Sequence, residues 1–363
     1  MLIYYIYFIC LSVLAVEYEL NPFKSKGLLI FIGISLALMA GLRGDQVSRD
    51  YLLYQYAFDN IRDFIPDEAG GYFSVYEPGF IGVVILLKFF FIHNYGVAIM
   101  LFFACASVAM KIFVFDRFSI NPYLIILLYF SHYFFLHEMT QIRIGFAAAI
   151  FLISLIFYFK NNYKTFVGLI LMATMFHYSA LVYLIVLFIK KENFNWYIYS
   201  FLLIISFVLG FMKFPLFTLV GNLFSISGNS GKIANYSKLI EYGLSDDVKV
   251  FNIINLTKIC CSIYLMYLVP KHEFLKDQKL IFFLKCNIIS IFTLSLFSGV
   301  PLVAFRLSDL FSVVTVFNFA YLAKYLPFLR FNIWFVILIA GILFYSNIIY
   351  GGLLGPYEIL KLK

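Results

Sequence analysis

Nine ionisable side chains lie inside long apolar stretches of the sequence or at their edges. They are Arg43, Glu77, Lys88, Glu138, Arg143, His177, Lys258, Arg306 and Asp309. An ionisable group inside a membrane costs about 2.5–3.5 kcal/mol on insertion scales, so such groups usually serve a function. Arginine keeps its charge and binds phosphate oxygens through paired hydrogen bonds. Three arginines and a carboxylate near one cavity would suit a ligand that carries a pyrophosphate group.

The three arginines also have structural interpretations. Arg43 follows an apolar stretch directly and could anchor a helix end among lipid headgroups. Arg143 could extend its long side chain toward the headgroups in the same way. Arg306 has Asp309 three residues further on, a spacing that allows an ion pair on one face of a helix.

Glu77 and His177 can be explained in structural ways as well. Glu77 precedes Pro78 and Gly79, which together predict the start of a helix, and an acid there would interact favourably with the helix dipole. His177 lies in the stretch "MFHYSALVYL", where a histidine could be a hydrogen-bonded core residue. The alternative is that His177 and its polar neighbours line a wet pocket at membrane depth.

The composition requires a membrane to surround most of the chain. Of its 363 residues 63% are hydrophobic and only 13% are charged, whereas soluble domains are about 45–50% apolar and about 25% charged. We therefore predict an all-α polytopic membrane protein with one integral-membrane domain over residues 1–363. Thirteen apolar segments occur, at about 2–16, 27–42, 78–92, 95–115, 121–136, 144–159, 164–177, 178–190, 195–212, 250–269, 279–297, 305–323 and 332–350.

Cysteine usage and net charge argue against a disulfide-stabilised protein, a zinc protein and a nucleic-acid-binding protein. The five cysteines all lie in apolar segments without C-x-x-C spacing, so neither a disulfide framework nor a zinc site is predicted. The formal net charge of +8 comes from short clusters of lysine and arginine between the apolar segments. The positive-inside rule explains such clusters better than binding to nucleic acid does.

The basic connectors include residues 111–117, with Lys111 and Arg117, and residues 160–164, with Lys160 and Lys164. Placing these connectors in the cytoplasm fixes a topology of about twelve transmembrane helices. This topology puts both termini and two large loops, residues 43–77 and 213–249, on the outer side. Residues 78–92 then need to be a re-entrant or tilted half-helix, because a full crossing there would invert part of the topology. The rival interpretation is that the first two spans have the opposite sidedness.

Two further local predictions concern the outer side. Basic residues at both ends of 164–190 predict a short hairpin in the membrane that turns near His177.

In the first outer loop, Ser48 could cap a short helix that ends at Asn60. The spacing of Tyr51, Tyr54 and Phe58 indicates that this helix lies on the membrane surface. With this topology Arg43, Glu77, Arg143, His177 and Arg306 all approach the outer face.

Five stretches of the sequence carry a resemblance to a known family. They are "GLRGDQVSRDYLLYQYAF" at 41–58, "YEPGF" at 76–80, "QIRIGFAAAIF" at 141–151, "FHYSAL" at 176–181 and "FRLSDLF" at 305–311. In this order, with Pro356 and Tyr357 near the C-terminus, they resemble the EpsG-like branch of the Wzy-type O-antigen and exopolysaccharide polymerases. One departure is Ile144, where the family often has glutamine.

The resemblance implies a GT-C-like membrane glycosyltransferase in the bacterial inner membrane, with its active site toward the periplasm. Such an enzyme transfers a glycan from undecaprenyl pyrophosphate to a sugar hydroxyl of another lipid-linked repeat unit, without a metal or other cofactor. Arg143 and Arg306, with Arg43 as a third, would stabilise the departing pyrophosphate. Glu77 and His177 are both candidates for the base that takes the proton of the hydroxyl.

The resemblance also implies partners and leaves two rival functions. Donor and acceptor are both undecaprenyl-pyrophosphate-linked oligosaccharides in the lipid bilayer, and a chain-length regulator and a flippase are expected partners. An O-antigen ligase would do the same chemistry with a lipid A core acceptor. A flippase or other transporter of lipid-linked oligosaccharides would show inverted repeats or charges at the midplane of several helices, whereas the charges here are biased to one face.

Overall fold

The computed structural model describes residues 1–22, 25–61, 76–118, 121–212, 248–268, 277–326 and 331–360. Part of the first outer loop, residues 62–75, and nearly all of the second, residues 213–247, lie outside the described residues. Within the described ranges the regular structure is helical. The predicted all-α class is therefore confirmed for this part of the chain.

The α-helices are α1 (Leu2–Leu20), α2 (Lys26–Gly41), α3 (Tyr51–Asn60), α4 (Pro78–Phe90), α5 (Tyr95–Phe118), α6 (Pro122–Tyr129), α7 (Ile142–Phe159), α8 (Tyr163–Thr174), α9 (Trp196–Met212), α10 (Ile253–Leu268), α11 (Gln278–Leu296), α12 (Pro301–Ser312), α13 (Thr315–Tyr325) and α14 (Asn332–Tyr345). Two π-helices, Phe130–Glu138 and Ser346–Tyr350, continue α6 and α14, and a 3₁₀ helix, Tyr178–Phe188, follows α8.

Each of the thirteen predicted apolar segments contains helical structure. Five helices are long and apolar enough to cross a bilayer: α1, α5, α7, α11 and α14 with its π-helix. The pair α12 and α13, bent by 46°, would make a sixth. These helices support a multi-pass membrane protein, and the count of twelve crossings stays a prediction.

The described chain divides into two compact units. The first contains Met1–Leu187 and Phe319–Lys363. In it α5 packs against α2, α4 and α7, while α1 packs against α6 and α14. Gly145 of α7 lies so close to the π-helix that a Cβ atom on it would be 2.7 Å from the carbonyl oxygen of His137. This contact and the buried alanines 147–149 show the close helix packing that small residues permit.

The second unit contains Phe188–Asn318. Its helix α11 packs against α9, α10 and α12. Asn287 of α11 joins its neighbours, since its side-chain amide donates to the Ser262 hydroxyl at 2.8 Å and its carbonyl accepts from the Thr315 hydroxyl at 2.7 Å. Such interhelical hydrogen bonds fix the register of helices that are apolar on most of their surface.

Helix α4 begins and ends beside the same short helix, α3. At its start Phe80 packs against Tyr54, with ring centroids 6.3 Å apart. Near its end Lys88 donates to the carbonyl oxygen of Ile61 at 2.7 Å. The 13 residues of α4 span only about 20 Å, whereas the hydrocarbon core is about 30 Å thick. The re-entrant or tilted half-helix at 78–92 stays a prediction.

The helix α3 differs from its prediction in two respects. Tyr51, Tyr54 and Phe58 are all buried, so the face expected to lie on the membrane packs inside the protein instead. The helix begins at Tyr51 after Asp50, without a side-chain cap, so Ser48 is not its cap. Ser48 instead accepts a hydrogen bond from Arg43 at 3.4 Å.

Lys111 was expected in a cytoplasmic connector, and this is wrong. It lies within α5, is fully buried and forms an ion pair with Glu138 at the end of the π-helix. The hydroxyl of Tyr129 donates to the same carboxylate at 2.8 Å. A buried lysine needs a partner of opposite charge because its desolvation is costly, so this pair joins α5 to the π-helix.

Candidate functional site

The structure brings Glu77 to the turn between α8 and the 3₁₀ helix. Glu77 is the residue before α4, and Pro78 takes the first helical position, where its missing N–H group costs nothing. The N–H of Gly79 donates to the carbonyl oxygen of Met175 at 2.8 Å. A Cβ atom on Gly79 would lie 2.8 Å from that same oxygen. Glycine at this position therefore permits the contact that places Glu77 beside His177.

Glu77 contacts both other residues that we predicted for this region. Its Oε2 forms an ion pair with the guanidinium of Arg143, and its Oε1 lies 3.4 Å from Nδ1 of His177. The backbone N–H of Tyr178 donates to Oε1 at 3.4 Å. We call Glu77, Arg143 and His177 the Glu77 cluster. Residues from three distant parts of the sequence thus meet at one point.

Arg143 is the most accessible member of the Glu77 cluster. Its side chain is 19% exposed, against 5% for Glu77 and 6% for His177. Arg143 is the second residue of α7, and its guanidinium lies over the rings of Tyr76 and Phe80, 5.2 and 5.5 Å from their centroids. The aromatic faces favour the cation, and part of the side chain remains accessible.

Tyr54 is a residue of this site that the sequence analysis did not identify. Its phenol interacts electrostatically with the charge on Arg143. The spacing of Tyr54 with Phe58 did indicate an apolar face on α3, but that face was assigned to the membrane. No local signal showed that it would pack on α4.

Opposing effects set the charge of Glu77. Burial raises the pKa of Glu77, but the interactions with the nearby His177 ring and with the positive charge of Arg143 outweigh it, so its pKa lies below the ordinary value. A lowered pKa means that Glu77 is ionised at neutral pH. The cluster therefore holds a carboxylate between a guanidinium and an imidazole.

Arg43 lies beneath the surface of the first unit and is held by other groups. It is 1% exposed and donates to Ser48 and to the carbonyl oxygen of Ala40. Its backbone pairs with Ile359, in the C-terminal segment that lies along residues 42–48. Burial lowers the pKa of Arg43 to about 10, so the side chain stays charged at neutral pH. Its predicted contact with pyrophosphate stays a prediction.

Arg306 lies on α12 of the second unit and is partly exposed. The structural interpretation paired it with Asp309, but among the described residues no salt bridge joins the two side chains. The charge that acts on Asp309 belongs to Lys258 of α10. Arg306 is therefore not neutralised by Asp309, and its predicted role in pyrophosphate binding stays a prediction.

A metal site was not predicted, and the described residues contain no group of three or more His, Cys, Asp or Glu side chains that could hold a metal ion. The five cysteines lie on four of the described helices, and all five are free thiols. The residues of the Glu77 cluster can bind an anion through Arg143 and transfer a proton through Glu77 or His177.

Fold and site together define a class: a helical, multi-pass membrane protein with a buried carboxylate that joins a guanidinium to an imidazole. Residues 26–359, nearly the whole chain, match the EpsG family. The chain belongs to the EpsG family, and the resemblance predicted from the sequence is confirmed. No curated protein and no solved structure shows significant similarity to it.

Proposed function

We propose that this protein is a polymerase of O-antigen or exopolysaccharide repeat units. It takes a glycan from undecaprenyl pyrophosphate and joins it to a sugar hydroxyl of a second lipid-linked repeat unit. The reaction takes place at the periplasmic face of the bacterial inner membrane, on a GT-C-like scaffold. Membership of the EpsG family supports an exopolysaccharide polymerase, and the ion pair between Glu77 and the partly exposed Arg143 is the observation that carries the chemistry.

The transfer forms a new glycosidic bond and breaks the bond between the donor sugar and the pyrophosphate. The hydroxyl oxygen of the acceptor attacks the anomeric carbon of the donor, and the bond from that carbon to the pyrophosphate oxygen breaks. Undecaprenyl pyrophosphate leaves with the electron pair, and the hydroxyl proton passes to a base. Negative charge grows on the pyrophosphate as it departs, so a fixed cation beside it lowers the barrier.

Arg143 is the residue that supplies this cation in our proposal. A guanidinium has five N–H donors, and among the described residues the Arg143 guanidinium donates to Glu77. The remaining donors can bind phosphate oxygens while Glu77 holds the group in place. A preorganised donor needs no rearrangement during the reaction. Arg306 and Arg43 are further proposed contacts of the pyrophosphate.

Glu77 and His177 share the proton transfer in our proposal. Because Nδ1 of His177 faces the Glu77 carboxylate, Glu77 fixes the orientation of the ring and stabilises its protonated form. The Nε2 atom of His177 is then the group that takes the proton of the hydroxyl. Glu77 acts as the base itself if the acceptor approaches from the opposite side.

The experiment is a gel of the surface polysaccharide from a strain that lacks this protein. The strain is complemented with the wild type, with Arg143→Ala, or with Arg117→Ala, which changes an exposed arginine of α5. We expect a polymer ladder with the wild type and with Arg117→Ala, and a single repeat unit with Arg143→Ala at equal expression.

The other outcomes separate the rival functions. Loss of even the single repeat unit in the deletion strain would indicate a ligase or a flippase. An unchanged ladder in that strain would contradict any role in this polysaccharide. A ladder with Arg143→Ala equal to that of the wild type would remove Arg143 from the mechanism.

A further inference from the structure

A polar groove lies in the first unit beside α3. Its cavity of about 620 Å³ is within the range of about 300–1,000 Å³ that is usual for sites of small ligands. Two carboxylates, two carboxamides and two phenols contribute to its lining, from Asp45, Glu358, Gln55, Asn94, Tyr51 and Tyr95. None of the residues used in the proposed chemistry lines it.

The chemistry of the groove favours a ligand rich in hydroxyl groups. Among the described residues, no lysine or arginine lines it, and its two carboxylates would repel a phosphate group. Carboxamides both donate and accept hydrogen bonds, carboxylates accept them, and phenols do both while offering an aromatic face. Adjacent hydroxyl groups of a sugar ring need this mixture of donors, acceptors and flat apolar surface.

Contacts within the protein hold the lining side chains in place. The amide nitrogen of Gln55 donates to the Tyr51 hydroxyl at 3.1 Å. Gly96 leaves room for that amide, since a Cβ atom there would lie 2.7 Å from its oxygen. The Tyr95 hydroxyl donates to Asp59 at 2.6 Å, and the Lys88 ammonium lies 5.0 Å from its ring centroid. The groove is therefore preorganised.

Helix α3 connects the groove to the Glu77 cluster. Tyr51 and Gln55 line the groove, while Tyr54 of the same helix interacts electrostatically with Arg143. Side chains three apart on a helix have Cβ atoms about 5–6 Å from each other. Tyr51, which lines the groove, and Tyr54, which lies beside the accessible arginine, are thus within one turn of each other on α3.

We propose that this groove binds the saccharide portion of the lipid-linked substrate, while Arg143 binds its pyrophosphate. The inference rests on the proposed function, and it assigns sugar and phosphate to separate surfaces of one unit. The groove excludes the charged part of the substrate through Asp45 and Glu358 and so keeps the substrate in one orientation.

The test measures sugar and pyrophosphate binding separately, by ligand-observed NMR on the whole protein in nanodiscs. One probe is the free oligosaccharide of a single repeat unit, released by mild acid from the lipid-linked repeat unit of the same strain. The other is undecaprenyl pyrophosphate without a sugar. Gly96→Leu fills the groove, and Gly168→Leu is its matched control, because a side chain at position 168 meets nothing within 4 Å.

We expect Gly96→Leu to weaken binding of the oligosaccharide about tenfold or more, the effect of losing two or three hydrogen bonds. Binding of undecaprenyl pyrophosphate stays unchanged in both variants, and Gly168→Leu binds both probes like the wild type. Gln55→Leu is a second variant in case Gly96→Leu fails to fold, with the exposed Gln46→Leu as its control. Gln55→Leu is also expected to weaken binding of the oligosaccharide and to leave binding of undecaprenyl pyrophosphate unchanged.

Two results would overturn the inference: a wild type that does not bind the oligosaccharide, or groove variants that bind it as the wild type does. Equal loss of both probes in a folded groove variant would also overturn the separation of sugar from phosphate. If groove variants lose the sugar but the deletion strain keeps its polymer ladder, the groove assignment stands and the proposed function falls. The two failures are thus distinguishable.

Discussion

At the scale of single residues, Glu77 determines the charge of the site. It binds Arg143 through one oxygen and faces His177 with the other. Its negative charge therefore stabilises the Arg143 guanidinium and the protonated form of His177. Removing it would leave the Arg143 guanidinium, largely desolvated, without an acceptor. The cluster is therefore a structural ion pair and a candidate catalytic site at once, and the two roles need separate measurements.

The stability role predicts a specific pH dependence for Glu77→Gln. The pKa of Glu77 in the folded protein lies below its ordinary value of 4.5, so the unfolded chain binds its proton first as the pH falls. The stability that the ionised Glu77 carboxylate contributes is complete at a pH above its ordinary pKa. It is lost as the pH falls through the lowered pKa of the folded protein. We expect Glu77→Gln to reduce the free energy of unfolding in detergent by about 2 kcal/mol at pH 7, and by less at acid pH.

Glu19→Gln is the control for this prediction, because Glu19 is exposed near the end of α1. It should leave the unfolding midpoint unchanged at every pH. A deficit in Glu77→Gln that is constant between neutral and acid pH, or that grows toward acid, would show that the carboxylate charge is not what stabilises the cluster.

Much of the site could be predicted from residue type alone. A charge in an apolar stretch is visible in a sequence, so Glu77, Arg143 and His177 were found. Their meeting was expected only from a shared side of the membrane, and the contact through Oε1 and Oε2 was not predictable. Tyr54 was missed because a tyrosine on an amphipathic helix fits a membrane surface and a protein core equally well.

At the scale of helices, hydropathy predicted where helices occur but not how they deform. Segment 121–136 contains α6 and a π-helix, and segment 305–323 contains two helices bent by 46°. These breaks depend on partners far along the chain, such as Asn347, whose side chain donates to the carbonyl oxygen of Ser131 at 3.0 Å. The ion pair of Lys111 with Glu138 was missed for the same reason.

The close approach of α4 to the turn after α8 predicts a strong effect of Gly79→Ala. Its methyl group would lie 2.8 Å from the backbone oxygen of Met175, and backbone cannot move aside as a flexible side chain can. We expect a loss of about 1–3 kcal/mol of unfolding free energy in detergent, as for other overpacked sites. Because Glu77 is two residues away, the polymer ladder should shorten as well.

Gly168→Ala is the matched control, since it lies in α8 where a methyl group meets open space. Alanine is the better helix former, so the control should equal or exceed the wild type in stability. Full stability and a full ladder with Gly79→Ala would mean that the contact with Met175 does not position Glu77.

At the scale of the whole molecule, the groove tests the predicted topology, because the surfaces that line one groove must lie on one side of the membrane. Asp45, His93 and Glu358 come from three distant parts of the chain and all line it. In a background without the natural cysteines, we expect single cysteines at these positions to react with an impermeant maleimide in intact cells. Lys160→Cys, at the opposite end of α7, should react only after permeabilisation.

His93 is the most informative of these positions because it follows α4. If α4 crossed the bilayer, a cysteine at 93 would react from the side opposite to one at 45, and both the half-helix and the groove would be refuted together. If all three positions reacted only after permeabilisation, the groove would survive but the orientation would be inverted. The Glu77 cluster is tied to the groove through α3, so it would then face the cytoplasm, where the proposed periplasmic polymerisation could not take place.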